Sequence, residues 1–286
     1  MRKGEGLGNK FLANIREVDA IIHVIRCFED ENILRDEGAI NPVGDKEIIE
    51  TELQLKDLES IDKKLVKMEK MVKSGDAKLK EEYDVLVRAK EHLSLGKNIL
   101  SMDLSKEERD LLNSNFLLTG KPILYVANVE EAAMHTGNKY SKLLEEAAQK
   151  EGAELIVMSN HIEAQIAEFD DPEERQMFMD EYQMTEPALD RLIHSTYQLL
   201  NLSTYFTAGV QEVRAWTIGK GWKAPQAAGV IHSDFEKGFI KAEVISYEDF
   251  ISYKSEAACR ENGKLRIEGK EYIVKDGDVM HFRFNV

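Results

Sequence analysis

With 286 residues, 43% hydrophobic and 8% aromatic, the chain can bury a sizeable core and divide into two or three units. A formal charge of −15, from 38 Lys+Arg against 53 Asp+Glu, argues against a generally basic nucleic-acid binder and leaves room for local basic patches only. No apolar run reaches the ~18 residues of a membrane span and MRKGEGLGNK lacks the apolar core of a signal peptide, so a cytoplasmic chain without membrane contact is expected.

The first ten residues carry Gly4, Gly6 and Gly8 ahead of Asn9-Lys10. The spacing is not that of a phosphate-binding G-x-x-x-x-G-K-[ST] loop, and no strand precedes it. Phe11–Val18 is predicted as a helix with Phe11, Leu12 and Ile15 on one face, and Ala20–Phe28 as a strand apolar enough to be covered on both sides. His23 within it is expected to be a packed, hydrogen-bonded residue and not a catalytic one. Glu29–Gly44, with Gly38, Pro42 and Gly44, reads as a loop. The only cysteines, Cys27 and Cys259, have no metal-site spacing and are expected as reduced thiols, Cys27 inert in its apolar strand.

Residues 45–95 have the strongest periodicity. Leu55, Leu58, Ile61, Leu65, Met68 and Val72 recur at steps of three and four, as do Leu79, Tyr83, Leu86 and Leu93. Gly75-Asp76 interrupts the pattern, which predicts an antiparallel helical hairpin. Its tip is basic: Lys63, Lys64, Lys67, Lys70, Lys73, Lys78 and Lys80 stand against only Glu69 and Asp76. Two readings stand side by side, a solvated helix face and a contact for RNA phosphates that an acidic body would otherwise repel.

Ser101–Leu118 holds a further helix with Ser105 as N-cap and Glu107-Glu108 in its first turn. In KPILYVANVEE, residues 121–131, the run Ile123–Ala127 is predicted as a buried central strand that ends in polar residues. Ligands of α/β sheets bind at such carboxyl ends. Asn128 offers an acceptor and two donors in one plane and Glu131 only acceptors, a set that can read the edge of a flat heterocycle; strand ends are also polar for solvation alone. Thr136–Gly152 is predicted helical with Leu143, Leu144, Ala147 and Ala148 inward. Glu154–Met158 is predicted as a third strand, ending in a loop Ser159-Asn160-His161.

Asp170-Asp171-Pro172-Glu173-Glu174 signals a helix start. Met177, Phe178, Met179, Tyr182 and Met184 are expected to pack, sealing the base of the hairpin. Residues 113–200 hold 16 acidic and 6 basic side chains, residues 201–286 twelve of each. In this last part strands are predicted at Val213–Ile218, Gly238–Ile245, Lys264–Ile267, Glu271–Val274 and the terminal DGDVMHFRFNV, with helices at Ala224–His232 and Tyr247–Glu261. The mixture suggests a β-grasp domain, whose Lys241, Lys264, Arg266, Lys270 and Arg283 could approach RNA.

GEGLGNKFLANIREVDAIIHVIRCF, the Asn128–Glu131 N-x-x-E, SNHIEAQIAEF, NLSTYFTAGVQEVRAWTI and DGDVMHFRFNV together closely resemble the YchF family of Obg-like P-loop ATPases, from Gly4 to Val286. The resemblance implies an α/β fold: part of a P-loop NTPase parallel sheet (residues 1–44 and 113–200), an inserted helical hairpin (45–112) and a TGS domain (201–286). N-x-x-E stands where GTPases carry N-K-x-D, which implies ATP as ligand, with Asn128, Val129 through its backbone, Glu131 and the Ser159, Asn160, His161 loop around the base. His161 either stacks near the base or is simply an exposed loop residue. The resemblance further implies slow ATP hydrolysis with Mg2+, association with the ribosome or structured RNA, a monomer, and Cys259 as the thiol of any redox control.

The chain departs from the family in beginning after its phosphate-binding half, and it has no Walker A motif or D-x-x-G Asp. No catalytic residue or Mg2+ ligand is therefore assigned to it. Two readings follow: part of an ATPase, or a non-enzymatic ribosome- or RNA-binding adaptor built from hairpin and TGS domain.

Overall fold

The computed structural model describes residues 8–33, 39–72, 76–209 and 212–285. The chain falls into two compact units, Met1–Thr196 and Tyr197–Val286. The glycine-rich start before Gly8 and the tip residue Lys73 lie outside the described residues.

The first unit is built on three parallel strands, β1 Ile21–Arg26, β2 Ile123–Asn128 and β3 Glu154–Met158, in the order β1-β2-β3. β2 is central and buried from Leu124 to Ala127, as its β-branched sequence requires. β1 differs from expectation. Ile22 is 41% and Val24 50% exposed, so one face of this strand is bare among the described residues. His23 points to the other face, its ring 5.9 Å from that of Tyr125.

The helices of this unit are α1 Asn9–Glu17, α2 Pro42–Val72, α3 Ala77–Ser94, α4 Lys106–Asn113, α5 Lys139–Lys150, α6 Asn160–Ala167, α7 Pro172–Glu181 and α8 Ala188–Leu199. In α1 Leu12 is buried and Phe11 exposed. α2 begins at Pro42, inside the stretch expected as loop, because Asn41 Oδ1 accepts from Gly44 N–H at 3.1 Å and a proline at the first helical position loses no bond. Capping of α4 by Ser105, with Glu108 completing the box, agrees with the sequence signal.

α2 and α3 run antiparallel. Asp62 meets Lys90 (2.6 Å) and Lys64 meets Glu82, so rising numbers on one helix face falling numbers on the other, and Gln54 meets Asn98 just past the end of α3 (2.7 Å). Their seam is Ile61, Met68, Val85, Leu86, Ala89 and Leu93, flanked by Leu58, Leu65, Leu79 and Tyr83. Leu55, expected in that seam, is exposed.

Two polar ties hold the pair to the sheet. Asp57 accepts from the N–H groups of Leu118 and Thr119, each at 2.8 Å, and from the Thr119 hydroxyl at 2.7 Å. Lys46, 2% exposed, pairs with Glu50 at 2.8 Å and with Glu151, the C-cap of α5, and the Tyr125 hydroxyl is shared between both carboxylates. Paired and hydrogen-bonded, these ions avoid the large penalty of an isolated buried charge.

In α5, Leu144 and Ala148 are buried but Leu143 is exposed. The residues around α7 pack on α6 and not on the helix pair: Met179 joins Ile162 and Ile166, flanked by Phe178, Tyr182 and Met184. Met177 is exposed.

The second unit carries a five-stranded mixed sheet: β4 Leu202–Ala208, β5 Val213–Gly219, β6 Phe239–Ile245, β7 Arg266–Glu268 and β8 Val279–Phe284, in the order β5-β4-β8-β6-β7. Only β4–β8 is parallel. Helix α9 Ala224–Ile231 lays Ala224, Ala227 and Ala228 on Tyr205, Phe239, Val244 and Phe282, and the Tyr205 hydroxyl donates to the Ala227 carbonyl at 2.9 Å. α10 Ser233–Lys237 follows it.

Three expectations are corrected here. Residues 271–274 form no strand, only a bridge from Ile273 to Lys223. The helix expected over residues 247–261 is two, α11 Tyr247–Tyr253 and α12 Glu256–Glu261, split where Lys254 turns left-handed (φ 61°) and Ser255 caps the second. Cys259 is fully buried against Ile245 and Val279. Burial raises its thiol pKa, which removes it from redox chemistry at the surface.

Candidate functional site at the carboxyl ends of two parallel strands

Because β2 and β3 are adjacent and parallel, their carboxyl ends open at one corner. β2 ends at Asn128 and passes into a short 3-10 turn over Glu131–Ala133; β3 ends at Met158 and α6 starts two residues later. The sequence pattern places Ser159, Asn160 and His161 in a loop. Only Ser159 is outside the helix; Asn160 and His161 form its first turn.

Asn128 Oδ1 accepts from the Asn160 backbone N–H at 3.0 Å. That bond ties the two strand ends together, satisfies one of the orphan donors of the helix and leaves the two Nδ2 donors of Asn128 for a ligand. Val129 is turned inward, 2% exposed, among Ile25, Tyr125, Ala133 and Leu144. Its N–H donates to the Met158 carbonyl at 2.9 Å, so the backbone donor expected to face a base is already bonded.

Glu131 is exposed and has as neighbour a residue that the sequence pattern assigns to packing alone. Tyr182, at the end of α7, lies near it: burial, together with the nearby Glu131 carboxylate, raises the tyrosine pKa. Asn138 also escapes a reading of the sequence. It caps α5 and its Nδ2 bridges the Cys27 carbonyl (2.6 Å) and Glu130 (2.8 Å), locking the end of β1 to the corner. The N-cap position ahead of α5 is its only sequence signal. His161 is exposed and lies along α6, Nε2 3.2 Å from Gln165 Nε2.

The structure separates the expected RNA-contacting lysines into two classes. Lys63 pairs with Glu59 at 2.7 Å, and Lys64 with Glu82. Lys67, Lys70, Lys78 and Lys80 are exposed and have no carboxylate partner among the described residues. In the second unit Lys264 pairs with Asp249 (3.1 Å), Arg266 with Glu268 (3.4 Å) and Arg283 with Glu243 (3.5 Å), leaving Lys241, half-buried, and Lys270, exposed, without a carboxylate partner among the described residues.

Residues 202–285 match a family model, YchF-GTPase_C, described as "Protein of unknown function (DUF933)". The chain is 52% identical over 284 residues to the ribosome-binding ATPase YchF of Escherichia coli O157:H7, covering 99% of this chain and 78% of that protein. The chain belongs to the YchF family. The YchF protein of Bacillus subtilis (strain 168) is 50% identical over 286 residues, at 99% and 78% coverage. Obg-like ATPase 1 of Gallus gallus is 46% identical over 288 residues, covering 99% of this chain and 72% of its own. The solved Schizosaccharomyces pombe YchF GTPase superposes with a TM-score of 0.85 at 38% identity, over 99% of this chain and 77% of that one. The parallel sheet followed by a second sheet is thus a YchF architecture. Among the described residues no helix is long and apolar enough to cross a membrane.

Proposed function

We propose that the corner at Asn128, Glu131 and the start of α6 binds the adenine of ATP, and that the chain serves a ribosome-associated ATPase. The observation that carries this reading is the bond from Asn160 N–H to Asn128 Oδ1. With its oxygen engaged, the Asn128 carboxamide presents only donors, which suit the ring-nitrogen acceptors of adenine. Glu131, an acceptor, suits the exocyclic amino group. The Tyr182 hydroxyl near Glu131 competes for the carboxylate that would grip guanine N1–H and N2–H2 together.

The triphosphate and Mg2+ find no comparable fit in these residues. The sequence has no Walker A motif, and the described residues contain no group of three or more His, Cys, Asp or Glu placed to hold a metal ion. No hydrolytic step is derived from this chain. Within the same reading α2 and α3 are the family's inserted hairpin, residues 1–44 and 113–200 its nucleotide domain, and the second unit its TGS domain. The unpaired tip lysines Lys67 and Lys70 are the phosphate contacts to a ribosome or structured RNA.

The test is an amide-resolved NMR titration of the 286-residue chain with adenosine and with guanosine. Shifts at Asn128, Glu131, Asn160 and His161, stronger for adenosine, are expected. A chain whose corner amides do not respond to either nucleoside would overturn the reading.

A further inference from the structure

β3 is the last strand of its sheet, with no described strand on its outer side. The bond from Val129 N–H to the Met158 carbonyl sets the phase of the ladder. In a parallel strand both backbone groups of a residue face the same neighbour, and successive residues alternate. Glu154, Ile156 and Met158 therefore face β2, while Leu155 and Val157 turn N–H and C=O to the open edge. Two cavities, ≈ 260 and ≈ 470 Å³, adjoin along that edge and share Met134, His135, Val157, Glu186 and Arg191. Their walls are the turn after β2 on one side and α8 on the other.

The smaller cavity reaches the start of α6. Ser159 lines it, 3% exposed, and its Oγ has no hydrogen-bond partner and makes no cap to the helix. A buried hydroxyl left unpaired is unfavourable, and a ligand oxygen would relieve it. Ile162 in the first helical turn lines the same space, as does Arg191, which is exposed and has no carboxylate partner among the described residues. Glu163 is also there, but its oxygens accept from the N–H groups of Ala188 (2.8 Å) and Leu189 (3.1 Å). Asn128, Glu131, Asn160 and His161 line neither cavity, so the groove is separate from the base-reading corner.

We propose that this groove takes an extended peptide that adds as a strand to β3, with its free terminal carboxylate received by Ser159 Oγ, the backbone N–H of Ile162 and Arg191. Main-chain bonds to Leu155 and Val157 supply affinity, and capture of the carboxylate sets register and direction. Since Ser159 follows the carboxyl end of β3, the peptide runs parallel to it. Glu186, lining both cavities, repels acidic side chains along the peptide, and Arg191 offsets its repulsion of the terminal carboxylate.

The probe is acetyl-Thr-Val-Thr-Val with a free carboxylate, titrated at millimolar concentration into the full chain and followed by amide NMR, with the amidated peptide alongside. Shifts at Leu155, Val157 and Ile162 are expected, with the amidated form binding about tenfold more weakly for want of the charge-assisted bonds. Arg191→Gln is expected to keep the fold, keep the Leu155 and Val157 shifts, and reduce the difference between the two peptides. Absence of shifts at Leu155 and Val157, equal binding of the two peptides by the unmodified chain, or shifts confined to Asn128 and Glu131 would overturn the proposal.

Discussion

Asn128 Oδ1 and the backbone N–H of Asn160, 32 residues apart, are joined by a 3.0 Å hydrogen bond that closes the ends of β2 and β3 over one another. Asn128→Ala removes both this tie and the Nδ2 donors. Adenosine affinity is expected to fall about tenfold, read by the same NMR titration, while the thermal midpoint drops by only the few degrees of one missing neutral bond. Unchanged affinity would place the base elsewhere.

Tyr182 and Glu131 set a second expectation. The tyrosine lies close enough to the Glu131 carboxylate to have its pKa raised by it, burial being the larger cause. Tyr182→Phe removes the competing hydroxyl and leaves the ring against Phe178, 4.8 Å away between centroids. The variant is expected to gain guanosine affinity relative to adenosine by about tenfold, with little loss of stability. A ratio unchanged by the substitution would mean that Tyr182 has no part in base choice.

What the sequence makes legible follows from range. The helix pair is readable because apolar residues recur at steps of three and four across a long stretch, and β2 because its run is uniformly apolar. Strand β4 escapes because its inward positions include Ser203 beside Tyr205, a hydroxyl where alternation demands an apolar group. Apolar Ile22 and Val24 say nothing of whether a neighbour covers them. The contacts that organise the corner, the Asn128–Asn160 bond and the approach of Tyr182 to Glu131, join residues distant in sequence, and neither spacing nor composition encodes such pairs. Ser159 can be read as polar, but its lack of a partner is a property of the packed surroundings.

Asp57 is expected to be the polar residue on which the first unit depends most. It is fully buried; burial raises its pKa while the Thr119 and Leu118 donors oppose that rise. Asp57→Ala leaves two buried N–H groups without an acceptor and should cost about 3 kcal/mol. Both tryptophans, Trp216 and Trp222, lie in the second unit. Urea unfolding followed by circular dichroism should therefore shift while tryptophan fluorescence stays put. A shift of both signals, or of neither, would contradict the assignment.

His23 should make the first unit sensitive to mild acid. Burial lowers its pKa from 6.5, and Lys46 acts in the same direction against the opposing pull of Glu50 and Asp45. A histidine depressed in the folded state stays neutral after its unfolded counterpart has taken up a proton. Stability is thus fully present above about pH 6.5 and lost as pH falls from there toward the folded pKa. His23→Gln is expected to flatten the midpoint, followed by circular dichroism, between pH about 7 and about 5.5. An equally steep profile in the variant would assign the acid sensitivity to other groups.

The lysines of α2 provide the sharpest test of RNA binding, because neighbours on one helix differ in their partners. Lys67 and Lys70 are exposed and unpaired among the described residues, whereas Lys63 is held by Glu59. A lysine that neutralises a phosphate releases counterions, and the log–log salt slope of binding falls by about 0.7 to 0.9 for each phosphate no longer neutralised. Gln is a helix former comparable to Lys, so Lys67→Gln with Lys70→Gln should leave circular dichroism unchanged. The pair is expected to lower the slope for ribosome binding by about twice that amount, and Lys63→Gln by less than a single step, since its ammonium is already neutralised. Equal slopes in all three proteins would make the tip a solvated face and leave the sheet of the second unit, with its exposed Lys270, as the surface to examine.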